Sequence, residues 1–246
     1  FVFSAEDNEL PRPPLERADH FAYVSGYPDG TVRPQGDITR AEVATIFFCL
    51  LRDDAREQVW STHDSFTDVL PNRWYSNRIA TMSNAGMMIG YPDGTFRPNS
   101  KITRAEFATV AAGFFHAPEV SGDAFSDISN SWARDYINRA AALGLVSGDD
   151  DGKFRPNDYI TRAEVMAILN RVLFRTPDKD HLLPDMIIWP DNSDTTAWYY
   201  ADVQEATNSH DYERVDNKSP ETWTKINPPR DWDALEKELA QKYPGK

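Results

Sequence analysis

The sequence predicts a mainly α protein: three helix–loop–helix units around a pseudo-threefold axis. Three observations carry this. A nine-residue glycine loop is written three times. Each copy leads to the same helix start, Ile-Thr-Arg-Ala-Glu. Half a unit is absent before the first loop and reappears near the end of the chain.

The loops read Gly26-Tyr27-Pro28-Asp29-Gly30-Thr31-Val32-Arg33-Pro34, Gly90-Tyr91-Pro92-Asp93-Gly94-Thr95-Phe96-Arg97-Pro98 and Gly148-Asp149-Asp150-Asp151-Gly152-Lys153-Phe154-Arg155-Pro156. In every copy the cap threonine follows the first glycine by 13 residues, and the threonines recur after 64 and then 58 residues. Pro-Asp-Gly is a tight-turn signal.

Each loop precedes a helix. Thr39/Glu42, Thr103/Glu106 and Thr161/Glu164 have the spacing of a capping box. Ile38/Val43, Ile102/Phe107 and Ile160/Val165 have that of a hydrophobic staple. Apolar residues then recur on one helical face: Val43/Ile46/Phe47/Leu50, Phe107/Val110/Ala111/Phe114 and Val165/Ile168/Leu169/Val172.

A leading helix precedes the second and third loops, beginning near Trp74 and Trp132 and ending at Gly86 and Gly144, which read as C′ glycines. An aromatic-x-Asp element, Phe66-Thr67-Asp68 or Phe125-Ser126-Asp127, stands just before it. Residues 1–18, with Pro11, Pro13 and Pro14, read instead as a linker. The missing half-unit recurs as Trp189-Pro190-Asp191, then Trp198, Val203 and Ala206. The expected organisation is a linker (1–18), the second half of repeat 1 (19–60), repeat 2 (61–119), repeat 3 (120–178), a half-unit that closes repeat 1 (179–212), and a polar tail (213–246) with a short helix capped by Asp231.

The net charge is −13, which argues against nucleic-acid binding. No apolar run approaches the roughly 20 residues that span a bilayer. Cys49, the single cysteine, builds neither an intrachain disulfide nor a thiolate metal site and reads as a buried thiol. The chain starts at Phe1 and shows no signal peptide, so it reads as a fragment or a processed product.

The repeated Gly-Tyr-Pro-Asp-Gly-Thr-Phe-Arg-Pro and Ile-Thr-Arg-Ala-Glu pair resembles the S-layer homology repeat, from about Asp19 to Arg175, with the closing half-unit extending the likeness to about His210. The resemblance implies a three-pronged helical prism on an exported bacterial protein at the cell wall or S-layer. It implies non-covalent anchoring through a secondary cell-wall polysaccharide carrying pyruvylated N-acetylmannosamine. It assigns ligand contacts to Arg40, Arg104 and Arg162, to Gly30, Gly94 and Gly152, and to Asp68, Asp127 and Asp191. The expected partner is thus an anionic polysaccharide, with no nucleic acid, membrane or cofactor, and the chain is expected to be a monomeric pseudo-trimer. The alternative is a protein-interaction or self-assembly module of the cell surface. An enzyme is not expected: no nucleophile-elbow, phosphate-loop or dinucleotide motif occurs.

Two departures matter. Asp149-Asp150 replace Tyr-Pro in the third loop, adding negative charge, and the closing half-unit is not a full repeat. The physics of the arginines fits an anion. A cation at N1 opposes the helix dipole, while free amides and a planar guanidinium at a helix start suit a carboxylate. The competing expectation pairs Arg40, Arg104 and Arg162 with Asp68, Asp127 and Asp191 to hold repeats together. Trp74, Trp132 and Trp198 offer flat faces to sugars, but as starts of amphipathic helices they read as core. Metal chemistry finds no support in spacing. Ile160 stands where an EF-hand counted from Asp149 needs Glu, and His20, His63, His116, His181 and His210 are not paired at ligand spacing. Asn208-Ser209-His210-Asp211-Tyr212 reads as a helix-end cap.

Overall fold

The computed structural model describes residues 12–115, 120–216 and 219–246. The first 11 residues of the expected linker, including Pro11, lie outside these, as do His116 and the repeat boundary at residue 119. The described chain is mainly helical, and it divides into two compact units.

The first unit holds Ile38–Ile102, Asp231–Lys246 and the described part of Phe1–Glu16. Its helices are α1 (Arg40–Leu50), α2 (Asp53–Val59), α3 (Ser76–Asn84) and, from the tail, α8 (Trp232–Lys242). α1 and α2 both pack on α3 around Phe47, Phe48, Trp60, Ile79 and Met82. Residues 14–16 are held at the end of α1: the Glu16 amide donates to Leu50 O at 2.8 Å and the Arg52 amide to Pro14 O at 3.1 Å. α2, not expected from the sequence, carries the buried Arg56. Its Nε donates to Phe48 O at 2.8 Å and its Nη2 to Cys49 O at 3.0 Å, satisfying carbonyls that the end of α1 leaves without helical partners. Cys49 is a buried thiol.

The tail helix docks. Asp231 caps α8 by accepting from the Ala234 amide at 2.9 Å. Trp232 and Leu239 are buried. Arg78 of α3 pairs with Asp233 and with Glu236, the latter at 2.8 Å, and Lys242 reaches Glu57 at 2.9 Å.

The second unit holds Arg17–Asp37 and the described residues of Thr103–Arg230. It contains α4 (Arg104–Ala112), α5 (Arg134–Ala142), α6 (Arg162–Val172) and α7 (Tyr200–Thr207). α4 packs on α5, α6 on α7, and α4 on α6. Strands β1 (His210–Glu213) and β2 (Thr222–Ile226) pair antiparallel, with a register irregularity at Asp211/Tyr212. Asn208 ends α7, its amide and its side chain both donating to Gln204 O at 3.1 Å.

All three capping boxes form. The Thr39, Thr103 and Thr161 amides donate to Glu42, Glu106 and Glu164 at 2.8, 2.7 and 2.8 Å, and each hydroxyl accepts from the N3 amide. The staple residues are all buried. Gly86 and Gly144 adopt φ of 64° and 68° just past α3 and α5, a conformation that glycine enters without Cβ strain.

Candidate functional site

Each glycine loop is pinned by an aspartate. Asp68 accepts from the Phe96 and Arg97 amides at 2.7 and 2.8 Å. Asp127 accepts from Phe154 and Arg155, both at 2.8 Å. Asp191, of the Trp189-Pro190-Asp191 element, accepts from Val32 and Arg33 at 3.0 and 2.7 Å. The pinned arginines hold φ of 51–59°, a left-handed conformation that costs a non-glycine residue energy. The charge-assisted bonds to aspartate offset that cost.

The two glycines of each loop have different reasons to be glycine. Gly30, Gly94 and Gly152 sit at the tips with φ of 74–79°, and a Cβ on Gly30 or Gly152 would meet nothing. The first glycines lie against the aromatic-x-Asp rings. A Cβ on Gly26 would stand 2.2 Å from Trp189, on Gly90 2.3 Å from Phe66, and on Gly148 2.6 Å from Phe125. The sequence shows this pairing as a co-occurring glycine and aromatic, but not the contact.

The motif arginines are clamps. Arg40 Nε donates to Phe96 O at 2.7 Å and its Nη2 to Ile89 O at 3.0 Å. Arg104 grips Phe154 O and Ser147 O at 2.7 and 3.4 Å. Arg162 grips Val32 O and Ser25 O at 2.8 and 3.3 Å. Each thus holds both limbs of one loop, through the residue before its first glycine and the residue before its pinned arginine. Arg104 also pairs with Glu164. The arginines therefore grip main-chain carbonyls rather than Asp68, Asp127 or Asp191.

The expectation of free amides at these helix starts is corrected. The amides of Arg40 and Ala41 donate to Ser100 O and Pro98 O, both at 2.9 Å. Those of Arg104 and Ala105 donate to Asp158 O and Pro156 O, and those of Arg162 and Ala163 to Gly36 O and Pro34 O. The chain's own carbonyls occupy the positive helix end because they are held there at high effective concentration, and no amide is left over for an anion.

Tyr27 lies between two guanidinium groups, Arg33 at 3.9 Å and Arg162 at 4.8 Å from the ring centroid. Tyr91 has the same surroundings, with Arg97 at 4.0 Å and Arg40 at 4.9 Å. In the third loop Asp149 takes the tyrosine's place and binds Arg155 Nε at 2.9 Å. The added acid is therefore neutralised locally by an ion pair that replaces the cation–π contact.

Hydrogen bonds from Thr31 and Thr95, and then from Arg33 and Arg97, hold the carboxyls of Asp29 and Asp93 down at about 2. A lowered pKa means that these contacts favour the fold above the ordinary value of 3.8 and stop doing so as pH falls through about 2. Carbon-detected NMR titration is expected to place both midpoints about two units below that of an unpaired aspartate. Midpoints at the ordinary value would mean that the loop bonds do not persist in solution.

The core expectation for the tryptophans is corrected as well. Trp74, Trp132 and Trp198 are 53, 53 and 61% exposed. The helices begin two residues later, at Ser76, Arg134 and Tyr200, so the tryptophans precede the amphipathic phase. The buried residues are Tyr75, Ala133 and Tyr200.

In the second unit these parts surround a cavity of about 740 Å3 whose walls include Arg104, Gly148, Arg155, Glu164, Arg171 and Trp198. It brings one motif arginine, one glycine loop and one exposed tryptophan together. Gly152, Asp127 and Trp132 are not among its lining residues.

Loops, clamps and caps together define a helical repeat scaffold with an aromatic- and arginine-walled groove. A sequence profile described as the S-layer homology domain matches residues 21–44, 65–108 and 124–166. The chain belongs to the S-layer homology family. It is 36% identical over 214 residues to a protein named cell surface glycoprotein 1 of Acetivibrio thermocellus, a match covering 81% of this chain and 9% of that protein. It is 35% identical over 205 residues to the cellulosome-anchoring protein of the same organism, covering 81% of this chain and 45% of that protein. An S-layer protein of Bacillus licheniformis is 35% identical over 145 residues, covering 57% of this chain and 16% of its own length. The chain therefore spans less than half the length of each of these relatives.

Proposed function

We propose that this chain is a non-catalytic anchor that attaches a bacterial surface protein to the cell wall by binding a pyruvylated secondary cell-wall polysaccharide. Family membership and the relatives named as anchoring and S-layer proteins support surface anchoring. The observation that carries the finer reading is the cavity. Trp198, 61% exposed, offers a flat apolar face to sugar C–H surfaces. Arg171, exposed, brings positive charge to the same walls for a ketal carboxylate, beside Arg155, which is held by Asp149 and Asp151. Arg104, Arg40 and Arg162 shape the loops, and Arg104 also borders the groove. Gly30, Gly94 and Gly152 keep the loop tips low. Trp74 and Trp132 are the corresponding sugar faces of the other repeats. The acidic body, at net charge −13, disfavours polyanions that lack the sugar ring contact.

The test is a pull-down with purified wall polysaccharide, with and without its pyruvate. Trp198→Ala is expected to weaken binding about tenfold while thermal unfolding stays unchanged, because the ring is exposed and bears on the ligand more than on the core. Equal binding after pyruvate removal would refute the carboxylate reading. Binding only to a wall-free protein would favour the interaction module instead.

A further inference from the structure

A second constellation, apart from the groove, lies in the second unit. His20, Glu205, His210 and Glu221 are all buried, and one ligand-type atom from each lies within 4.8 Å of the others. His20 Nδ1 stands 3.0 Å from Glu205 Oε1, 3.1 Å from His210 Nε2 and 3.6 Å from Glu221 Oε2. His210 Nε2 stands 3.3 Å from Glu205 Oε2. Four ligands about 2.0–2.1 Å from a tetrahedral zinc ion are separated by about 3.3–3.4 Å. The observed separations bracket that value.

The surroundings orient these atoms inward. His210 Nδ1 lies 2.9 Å from Asn208 O, a contact that places the proton on Nδ1 and leaves the Nε2 lone pair facing the cluster. Trp223 stacks on His210 at 3.9 Å and Tyr212 on His20 at 4.0 Å, fixing both rings. Arg214 donates to Glu221 Oε1 at 3.2 Å, whereas the buried Glu221 Oε2 accepts no hydrogen bond from the described residues. Arg175 and the Trp223 indole each donate to Glu205 at 3.3 Å. With His210 in this tautomer, its Nε2 lone pair faces the same centre as Glu205, His20 Nδ1 and Glu221 Oε2, and a divalent ion there would satisfy the acceptor that no described residue fills.

We propose that His20, Glu205, His210 and Glu221 form a structural zinc site. Two imidazoles and two carboxylates suit a divalent transition ion, and four protein ligands leave no open position for catalysis. Zinc takes the place of the His20 Nδ1 proton, which leaves to solvent, and each carboxylate binds ionised. The ion ties together four separate pieces of the unit: the segment with His20, α7, the start of β1 and the residue leading into β2. Metal-site spacing in the sequence does not reveal it, because its first and last ligands lie about 200 residues apart and the bridge between His20 and His210 is tertiary.

The experiment uses the tag-free chain dialysed against zinc and then against metal-free buffer. Elemental analysis is expected to give one equivalent of zinc. Chelation should lower the thermal midpoint, and cobalt should give the visible absorption of a tetrahedral centre. Glu221→Gln, nearly isosteric, should lower zinc affinity at least about tenfold, while His181→Ala, on an exposed histidine, leaves it unchanged. Substoichiometric zinc together with an unmoved thermal midpoint in the unsubstituted protein overturns the proposal, whatever the variants do.

Discussion

Replacing Arg40, Arg104 and Arg162 together with alanine abolishes cooperative folding, as read by urea denaturation and far-UV circular dichroism. The family resemblance assigns these residues ligand contacts, a role that alone would leave the fold indifferent to their loss. Their geometry gives them a structural role as well. Each arginine satisfies two loop carbonyls, and Arg40 and Arg162 are buried. Stranding two acceptors and losing the packed stem costs about 2–4 kcal/mol per site. Three such losses, roughly 6–12 kcal/mol, are comparable to the whole stability of an ordinary domain. Arg104→Lys separates charge from geometry: it keeps the cation but cannot reach both Phe154 O and Ser147 O as the guanidinium fork does, so it destabilises too. A triple alanine variant with an unchanged transition would show that the clamps are dispensable.

Gly90→Ala destabilises the first unit by about 2–3 kcal/mol, and Gly148→Ala does the same in the second. Each new methyl group would meet an aromatic ring and also a loop carbonyl, Thr95 O or Lys153 O, at 2.7 Å. Those oxygens cannot retreat freely, because they accept from the Tyr91 and Asp149 amides at 2.7 and 2.8 Å. Gly30→Ala is the comparison. Its Cβ would point into open space, and only the left-handed φ is penalised, at about 1–2 kcal/mol. Chemical denaturation should therefore rank Gly90→Ala as the more damaging. The opposite ranking would mean that backbone conformation, not the ring contact, selects the first glycine.

The local parts of the fold are legible in the sequence, and their chemistry explains why. A capping box needs only Thr and Glu three apart, a C′ glycine only its own φ, and the α8 cap only Asp231. α2 is not legible: it is short, Arg52 at its N-cap makes no side-chain capping bond, and its two buried residues are an alanine and an arginine. The β1–β2 hairpin is hidden for a similar reason, since His210–Glu213 is polar and its pairing is read only against Thr222–Ile226. The tryptophans mislead because the repeat pattern begins at them, although the helices start two residues later. For the candidate groove, Arg104 and Trp198 are named by the repeat pattern, but Arg155 and Arg171 become part of it only through the cavity they line.

The sequence by itself determined the repeats, the helix starts and the loop turns, because each depends on bonds that close within a few residues. Only the tertiary structure decided what the charged and aromatic side chains do. A guanidinium at a helix start is equally suited to a ligand carboxylate and to a loop carbonyl, and which one it meets depends on chain about 50 to 130 residues away. The same holds for His20 and Glu221, whose surroundings are assembled from segments that no local pattern connects.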